Sequence, residues 1–264
     1  MSAKTVAFFG ATGGCANATL VHSLLAGYEV SALARTPSKL TSQLLAQGLG
    51  QETLDRQLTV VHGDATNVED VKRTLLPNGK LVSFIVSGLG GAPVLQMSIR
   101  QPLTNDNPDI CASSAETILK ALQEIHTEHA ATAPEKPLLV YISTTGISNG
   151  PQDVPFGFRF LYHVLLAVAH EDKRKMESIL RLHMANPNER ERLLRGVVGV
   201  RASLLTGGVD YRTGKGWQTL KVGTEEEPAV GYTVARPDVG QWIFEEVVKK
   251  DAGDWIGKIA TLTS

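Results

Sequence analysis

Thr5-Val-Ala-Phe-Phe9 runs directly into Gly10-Ala11-Thr12-Gly13-Gly14-Cys15-Ala16, where the first strand ends and the first helix begins. A short β-branched and aromatic run that stops at a glycine cluster and reopens as a helix is the start of an α/β unit. Gly10 permits the tight turn, Gly13 lets the backbone approach a pyrophosphate, and the small Ala16 allows helix and sheet to pack closely. The N–H groups left free at the helix start then hold the anion. Gly10, Thr12, Gly13, Gly14, Cys15 and Ala16 therefore read as a dinucleotide cradle. No Gly-Lys-Ser/Thr ending follows, which disfavours a P-loop. A glycine turn that serves packing alone is the plainer alternative.

Working outward, similar runs recur at 29–34, 58–62, 81–86, 138–143 and 196–202, and the stretches between the first five have helical apolar spacing. This alternation predicts an α/β fold: a Rossmann-like doubly wound parallel sheet whose strands are joined by right-handed helical crossovers. Burial on both faces accounts for the nearly unbroken apolar character of the strands. A long helix is expected over 159–183, a last helix from Pro237 to about 250, and a closing edge strand over 256–262. The region 206–227 is too polar and glycine-broken for a core element. One domain is expected over 1–264, with a small substrate-binding C-terminal region and with 144–160 and 204–235 as substrate-side loops.

Composition narrows the function. The chain has 264 residues, 42% of them hydrophobic, and a net charge of −1 that gives no basic field for a nucleic-acid backbone. Two cysteines, Cys15 and Cys111, cannot build a disulfide framework, and no leader precedes the first strand, so the chain reads as cytoplasmic. The longest membrane-like stretch, 160–169, is about half the roughly 20 residues a spanning helix needs. The expected partner is a small-molecule substrate. His126 and His129 lack a third ligand at a defensible spacing, so no metal is expected.

Arg35 ends the second strand where an NAD site would place an acidic residue against the ribose 2′-OH. A cation there suggests a 2′-phosphate, and Lys39, four residues on, could flank the same group. The competing reading is an ordinary solvated Arg and Lys at a helix start. Asp64 and Ala65 after the third strand, and Ser87 and Gly88 after the fourth, sit where adenine and nicotinamide-ribose contacts form in open α/β sheets. Asp64 serves equally well as a turn or N-cap residue.

Together with Tyr141-Ile-Ser-Thr-Thr-Gly146, His170-Glu-Asp-Lys173-Arg-Lys-Met-Glu177, Val200-Arg-Ala-Ser-Leu-Leu-Thr206 and Ala235-Arg-Pro-Asp-Val-Gly240, these pieces resemble the atypical, NmrA-like branch of the short-chain dehydrogenase/reductase superfamily. They span nearly the whole chain in the family's order. Gly13-Gly-Cys-Ala-Asn17 and Ala169-His-Glu-Asp-Lys173 are also similar to fungal averufin-oxidase-A-type proteins of aromatic polyketide pathways. The resemblance implies NADP(H) as cofactor, Lys173 on the nicotinamide ribose, and Thr144 in the slot of the Ser that hydrogen-bonds the substrate carbonyl. It also implies a Tyr four residues before Lys173, but that position is Ala169. His170, at i−3 from Lys173, is the nearest titratable side chain able to share its helix face. Tyr162 on a continuous helix would stand about 16 Å away. The alternative is that the His170 to Lys173 segment is a solvated face.

Thr144, His170 and Lys173 are thus the candidate catalytic residues of an NADP(H)-dependent oxidoreductase acting on a small carbonyl or aromatic metabolite. The rival reading is a redox sensor that binds the dinucleotide without turnover. A third is recruitment of the fold for chemistry that leaves the nicotinamide unchanged. Phe156, Phe158, Phe160, Leu161 and Tyr162 fit a core, a substrate wall or a homodimer face, and the sequence leaves all three open.

Overall fold

The computed structural model describes residues 4–91, 93–95, 103–105, 107–129, 135–148, 150–158 and 166–264. Thr5–Phe9 forms β1, with Val6 to Phe9 fully buried. Its side chains alternate: Val6 and Phe8 enter one core, Ala7 and Phe9 the other. A strand buried on both faces must be apolar throughout, which is why this run carries no polar alternation.

From β1 the chain builds α1 (Gly14–Leu25), β2 (Glu29–Ala34), α2 (Pro37–Ala46), α3 (Gln51–Gln57), β3 (Leu58–His62), α4 (Val68–Leu75) and β4 (Phe84–Ser87). A two-stranded ribbon follows, β5 (Pro93–Leu95) with β6 (Leu103–Asn105), then α5 (Ile110–Glu128), β7 (Leu138–Thr144), α6 (Ala167–Met184) and β8 (Gly196–Ala202). The C-terminal part adds β9 (Leu204–Thr206), β10 (Lys221–Gly223), β11 (Thr233–Ala235), α7 (Arg236–Trp242, continued by a π-helical turn over Ile243–Val248) and β12 (Ile259–Thr263).

The main sheet runs β10-β12-β8-β7-β4-β1-β2-β3, parallel except for β10, which pairs antiparallel with β12. Strand order reverses between β1 and β4, and in such sheets the crevice opens at that switch point, beyond the carboxyl ends. Phe9 pairs with Leu33 on one side and Ser87 on the other, so the turns after β1, β2 and β4 come together. Helices α1, α2 and α7 cover one face, around Leu20, Leu40 and Trp242; α4, α5 and α6 cover the other, around Val71, Leu122 and Leu180. The expected doubly wound fold is the observed one.

Four expectations are corrected. β4 starts at Phe84, because the Val82 N–H turns back to the Leu75 carbonyl and Leu81 and Val82 belong to the connection from α4. The long helix starts at Ala167 with Leu166 as its non-helical N-cap, and 159–165, including Tyr162 and Phe160, lie outside the described residues. The expected helix is thus interrupted at Leu166. The closing strand is not an edge, since Val222 of β10 pairs with Leu262 of β12. That pairing also draws part of 206–227 into the sheet. Among the described residues no helix is long and apolar enough to cross a membrane.

Candidate active site

Two adjoining clefts open at the switch point. The first, of about 220 Å³, is lined by Gly10, Thr12, Gly13, Arg35, Asp64, Ala65 and Gly88 among others. The second, of about 420 Å³, is lined by Gly14, Cys15, Ala16, Thr144, His170 and Lys173 among others. Gly13 and the Gly88 to Gly91 turn wall both, so the two form one trough. Two of the residues expected here stand outside its lining. Ser87 is buried in β4, and Lys39 is exposed on the first turn of α2.

The glycines do distinct jobs. Gly10 has φ +79°, and a Cβ on it would stand 2.8 Å from the Gly88 carbonyl. A side chain there is both strained and blocked. At Gly88 a Cβ would meet the Ala16 methyl at 2.7 Å, so the small residue of α1 is matched by a bare backbone on β4's turn. Gly14 makes room for something else: its missing Cβ would lie 2.5 Å from Cδ of Arg236 and 2.7 Å from the Gly208 carbonyl. The N-cap of α1 is Gly13, which offers no side-chain cap, and the first turn holds no acidic residue. Its first N–H groups are left for a ligand.

At the first cleft's far end Arg35 is exposed, and among the described residues no carboxylate forms an ion pair with it. Asp64 accepts the Thr66 N–H at 2.8 Å and the Thr66 hydroxyl at 2.6 Å. Those bonds, with a smaller contribution from Arg35, hold its carboxyl below the usual range. Asp64 is thus a turn residue and a cleft residue at once.

In the second cleft the Lys173 ammonium donates to the carbonyls of Ile142 (2.7 Å) and Leu89 (2.8 Å), at the carboxyl ends of β7 and β4. One of its three donors is left over. Its neighbour Asp172 turns inward and accepts the N–H groups of Cys111 and Ala112, both at 2.9 Å, which caps α5. The solvated-face reading of this segment is corrected: His170 and Asp172 are buried, and Glu171 alone of the four is exposed. Ala169, at the position where the resemblance implies a Tyr, lines the cleft with a methyl group. Burial pushes the thiols up, Cys15 to about 12 and Cys111 to about 11, so both are ordinary small residues here.

Two lining residues escaped the sequence reading. Thr144 donates its hydroxyl to the Thr145 carbonyl at 3.1 Å, whereas Ser143, also on the wall, is buried with its Oγ unpartnered. Arg236 lines the same cleft from the start of α7. Their motifs were visible, but nothing local distinguishes a wall residue from its neighbour. Arg201 is buried and clasped by Glu177 (2.6 Å) and Glu225 (2.9 Å). It ties the end of β8 to α6.

No protein-family profile matches the chain. It is 44% identical to Oxidase pynE of Aspergillus niger across 100% of this chain and 99% of that protein. It is also 42% identical to Reductase pytE of Aspergillus terreus, across 99% and 98%. The chain belongs to their family. Solved structures similar to this pynE/pytE-family chain include a short-chain dehydrogenase/reductase of Veillonella parvula in complex with NADP, at a TM-score of 0.66 and 15% identity, covering 99% of this chain and 94% of that one. The ChuY reductase of Escherichia coli O157:H7 is also similar, at a TM-score of 0.60 and 17% identity, covering 98% and 96%. At those identities the likeness is one of fold. The pynE/pytE-family chain has the short-chain dehydrogenase/reductase architecture that its motifs implied.

Proposed function

We propose that this chain is an NADP(H)-dependent oxidoreductase acting on a small carbonyl-bearing or aromatic metabolite. The observation that carries the reading is the single trough with the glycine cradle at its centre, Arg35 at one end and Lys173 at the other. Its family members are named an oxidase and a reductase, and the Veillonella neighbour holds NADP. The residues present fit the group: an uncapped α1 start for a pyrophosphate, an exposed Arg with no carboxylate partner among the described residues for a 2′-phosphate, and a buried hydroxyl without a partner.

When bound, the nicotinamide supplies or accepts the hydride, and the protein contributes binding, orientation and polarisation. Gly10, Gly13 and the first N–H groups of α1 take the diphosphate, and Arg35 takes the 2′-phosphate. Lys173, fixed by two carbonyls, presents its remaining N–H to the ribose side. Ser143 would offer its unspent hydroxyl to a substrate carbonyl, Thr144 could do so only by leaving the Thr145 carbonyl, and His170 would exchange a proton. The test is calorimetric: NADPH should bind more tightly than NADH, and Arg35→Asp should narrow or invert that preference. Equal affinities that the substitution leaves unchanged would defeat the cofactor assignment.

One observation favours a second reading, a sensor that binds the dinucleotide without turnover: Ala169 puts a methyl group where the superfamily keeps its acid. Tight NADPH binding with no hydride transfer to a broad panel of quinones, ketones and aldehydes would make that reading the better one.

A further inference from the structure

The geometry points to Arg236 as a second anion-binding arm of the trough, one that takes an acidic oxygen of the bound ligand where the phosphate loop meets the substrate side. The inference rests on the dinucleotide reading above. Eight of the described arginines sit in salt bridges: Arg56, Arg73, Arg174, Arg181, Arg192, Arg195, Arg201 and Arg212. Arg35, Arg190 and Arg236 do not, and of these Arg35 and Arg236 line the trough. A guanidinium presents five donors. Arg236 commits Nη1 to the Gly207 carbonyl at 2.7 Å and, among the described residues, pairs with no carboxylate.

Its placement is specific. The Arg236 stem fills the space where a residue-14 side chain would be, with Cδ 2.5 Å and Cβ 2.9 Å from the position a Gly14 Cβ would take. The side chain therefore lies against the opening residue of α1, where the helix dipole favours an anion and opposes a cation. Among the described residues no Asp or Glu lines this cleft to compensate. The same cleft holds the buried, unpartnered Ser143 hydroxyl, a second group that a polar ligand would satisfy. An oxyanion between Arg236 and the start of α1 turns an unfavourable juxtaposition into a charge-assisted one. Such an oxyanion comes from the cofactor's diphosphate or from a carboxylate or other acidic oxygen of the substrate.

Arg236→Met keeps most of the stem that packs on Gly14 and removes the charge. Wild type and variant are titrated with NADPH, NADH and 2′-AMP, and the NADPH-loaded proteins with 2-hydroxybenzoate. If the arm holds the diphosphate, NADPH and NADH weaken together by roughly 10- to 150-fold while 2′-AMP is unchanged. If it holds a substrate acid, dinucleotide affinity stays and 2-hydroxybenzoate binding to the loaded protein is lost. Either result supports the arm. Unchanged dinucleotide affinity with no Arg236-dependent binding of 2-hydroxybenzoate overturns it while leaving the cofactor reading intact. A wild type that binds neither dinucleotide overturns both. Should Arg236→Met melt early, Arg236→Lys, which keeps the charge without the fork, must show a smaller loss in the same arm, and no loss there overturns the proposal.

Discussion

Ser143 and Thr144 end β7 side by side on the wall of one cleft in opposite hydrogen-bonding states: Thr144 spends its hydroxyl on the Thr145 carbonyl at 3.1 Å, and the Ser143 Oγ is buried without a partner. A buried polar atom left unsatisfied costs about 1 to 3 kcal/mol, so proteins keep few of them except where a ligand completes the set. Ser143→Ala should leave the free protein as stable as wild type or about 1 kcal/mol more stable, and should reduce turnover. Thermal melts run alongside kcat/KM on an accepted substrate check both halves. A variant that is less stable yet fully active would mean the hydroxyl serves the fold.

Lys173 should be needed for both structure and turnover. Lys173→Met takes the ammonium away from the Ile142 carbonyl and leaves the Leu89 carbonyl only the weak Cys111 thiol donor, at a cost on the order of 1 to 3 kcal/mol, and unties the turn after β4 from β7. NADPH affinity should fall as well. His170→Ala should behave differently, lowering kcat by roughly 10²- to 10⁴-fold with little change in NADPH affinity. Titrations of both variants, with the pH profile of kcat for His170→Ala, separate the two roles; an unaltered profile removes His170 from the chemistry.

Asp172 should matter through α5. Its carboxylate satisfies two first-turn N–H groups that Asp109, the residue in the capping position, leaves without a side-chain bond. Asp172→Ala should cost about 1 to 2 kcal/mol, and Asp172→Asn, with one acceptor in place of two, should cost less. Denaturant unfolding gives the ranking, and equal stabilities for all three proteins would show that α5 caps itself.

Two carboxyls, the buried Asp153 and the half-buried Glu225, should give acid stability slopes of opposite sign. Burial raises the Asp153 carboxyl above its ordinary value, with the Gly146 N–H and Arg201 offsetting only part. The folded state therefore holds that proton more tightly, and Asp153 lowers stability as pH rises from the ordinary carboxylate value through its folded one. For Glu225, burial would raise the carboxyl, but the Arg181 hydrogen bond and the Arg201 and Arg181 charges together pull it below the usual value. Its contribution is present above the ordinary value and is lost as pH falls through the folded one. Unfolding free energy measured against pH should flatten on one count in Asp153→Asn and on the other in Glu225→Gln. The same slopes in wild type and both variants would contradict these environments.

Much of the scaffold was legible because its signals are local. The run Thr5–Phe9, the turn at Gly10 and the small Ala16 dictate strand, turn and helix through burial and sterics that act within a few residues. Repetition of that pattern at the later strands yields a parallel doubly wound sheet, and the bounds of β1, β2, β3 and β8 coincide with the β-branched and apolar runs read from the sequence. The glycine turn that walls the trough was readable for the same reason, since it is a contiguous motif, and Arg35 stands directly after a recognisable strand.

What the sequence could not determine depends on partners distant along the chain. Asp172 reads as one more charge on a helix until α5, 61 residues away, brings its N–H groups to meet it. The interior position of β12 needed β10 to pair beside it, and strand pairing is set by register, which no single run encodes. Gly14 and Arg236 come from opposite ends of the chain, and only the packing of α7 on α1 makes one the reason for the other. Which of two adjacent hydroxyls stays unspent was likewise decided in three dimensions, because a hydrogen bond needs its acceptor in place and composition does not say where that acceptor will be.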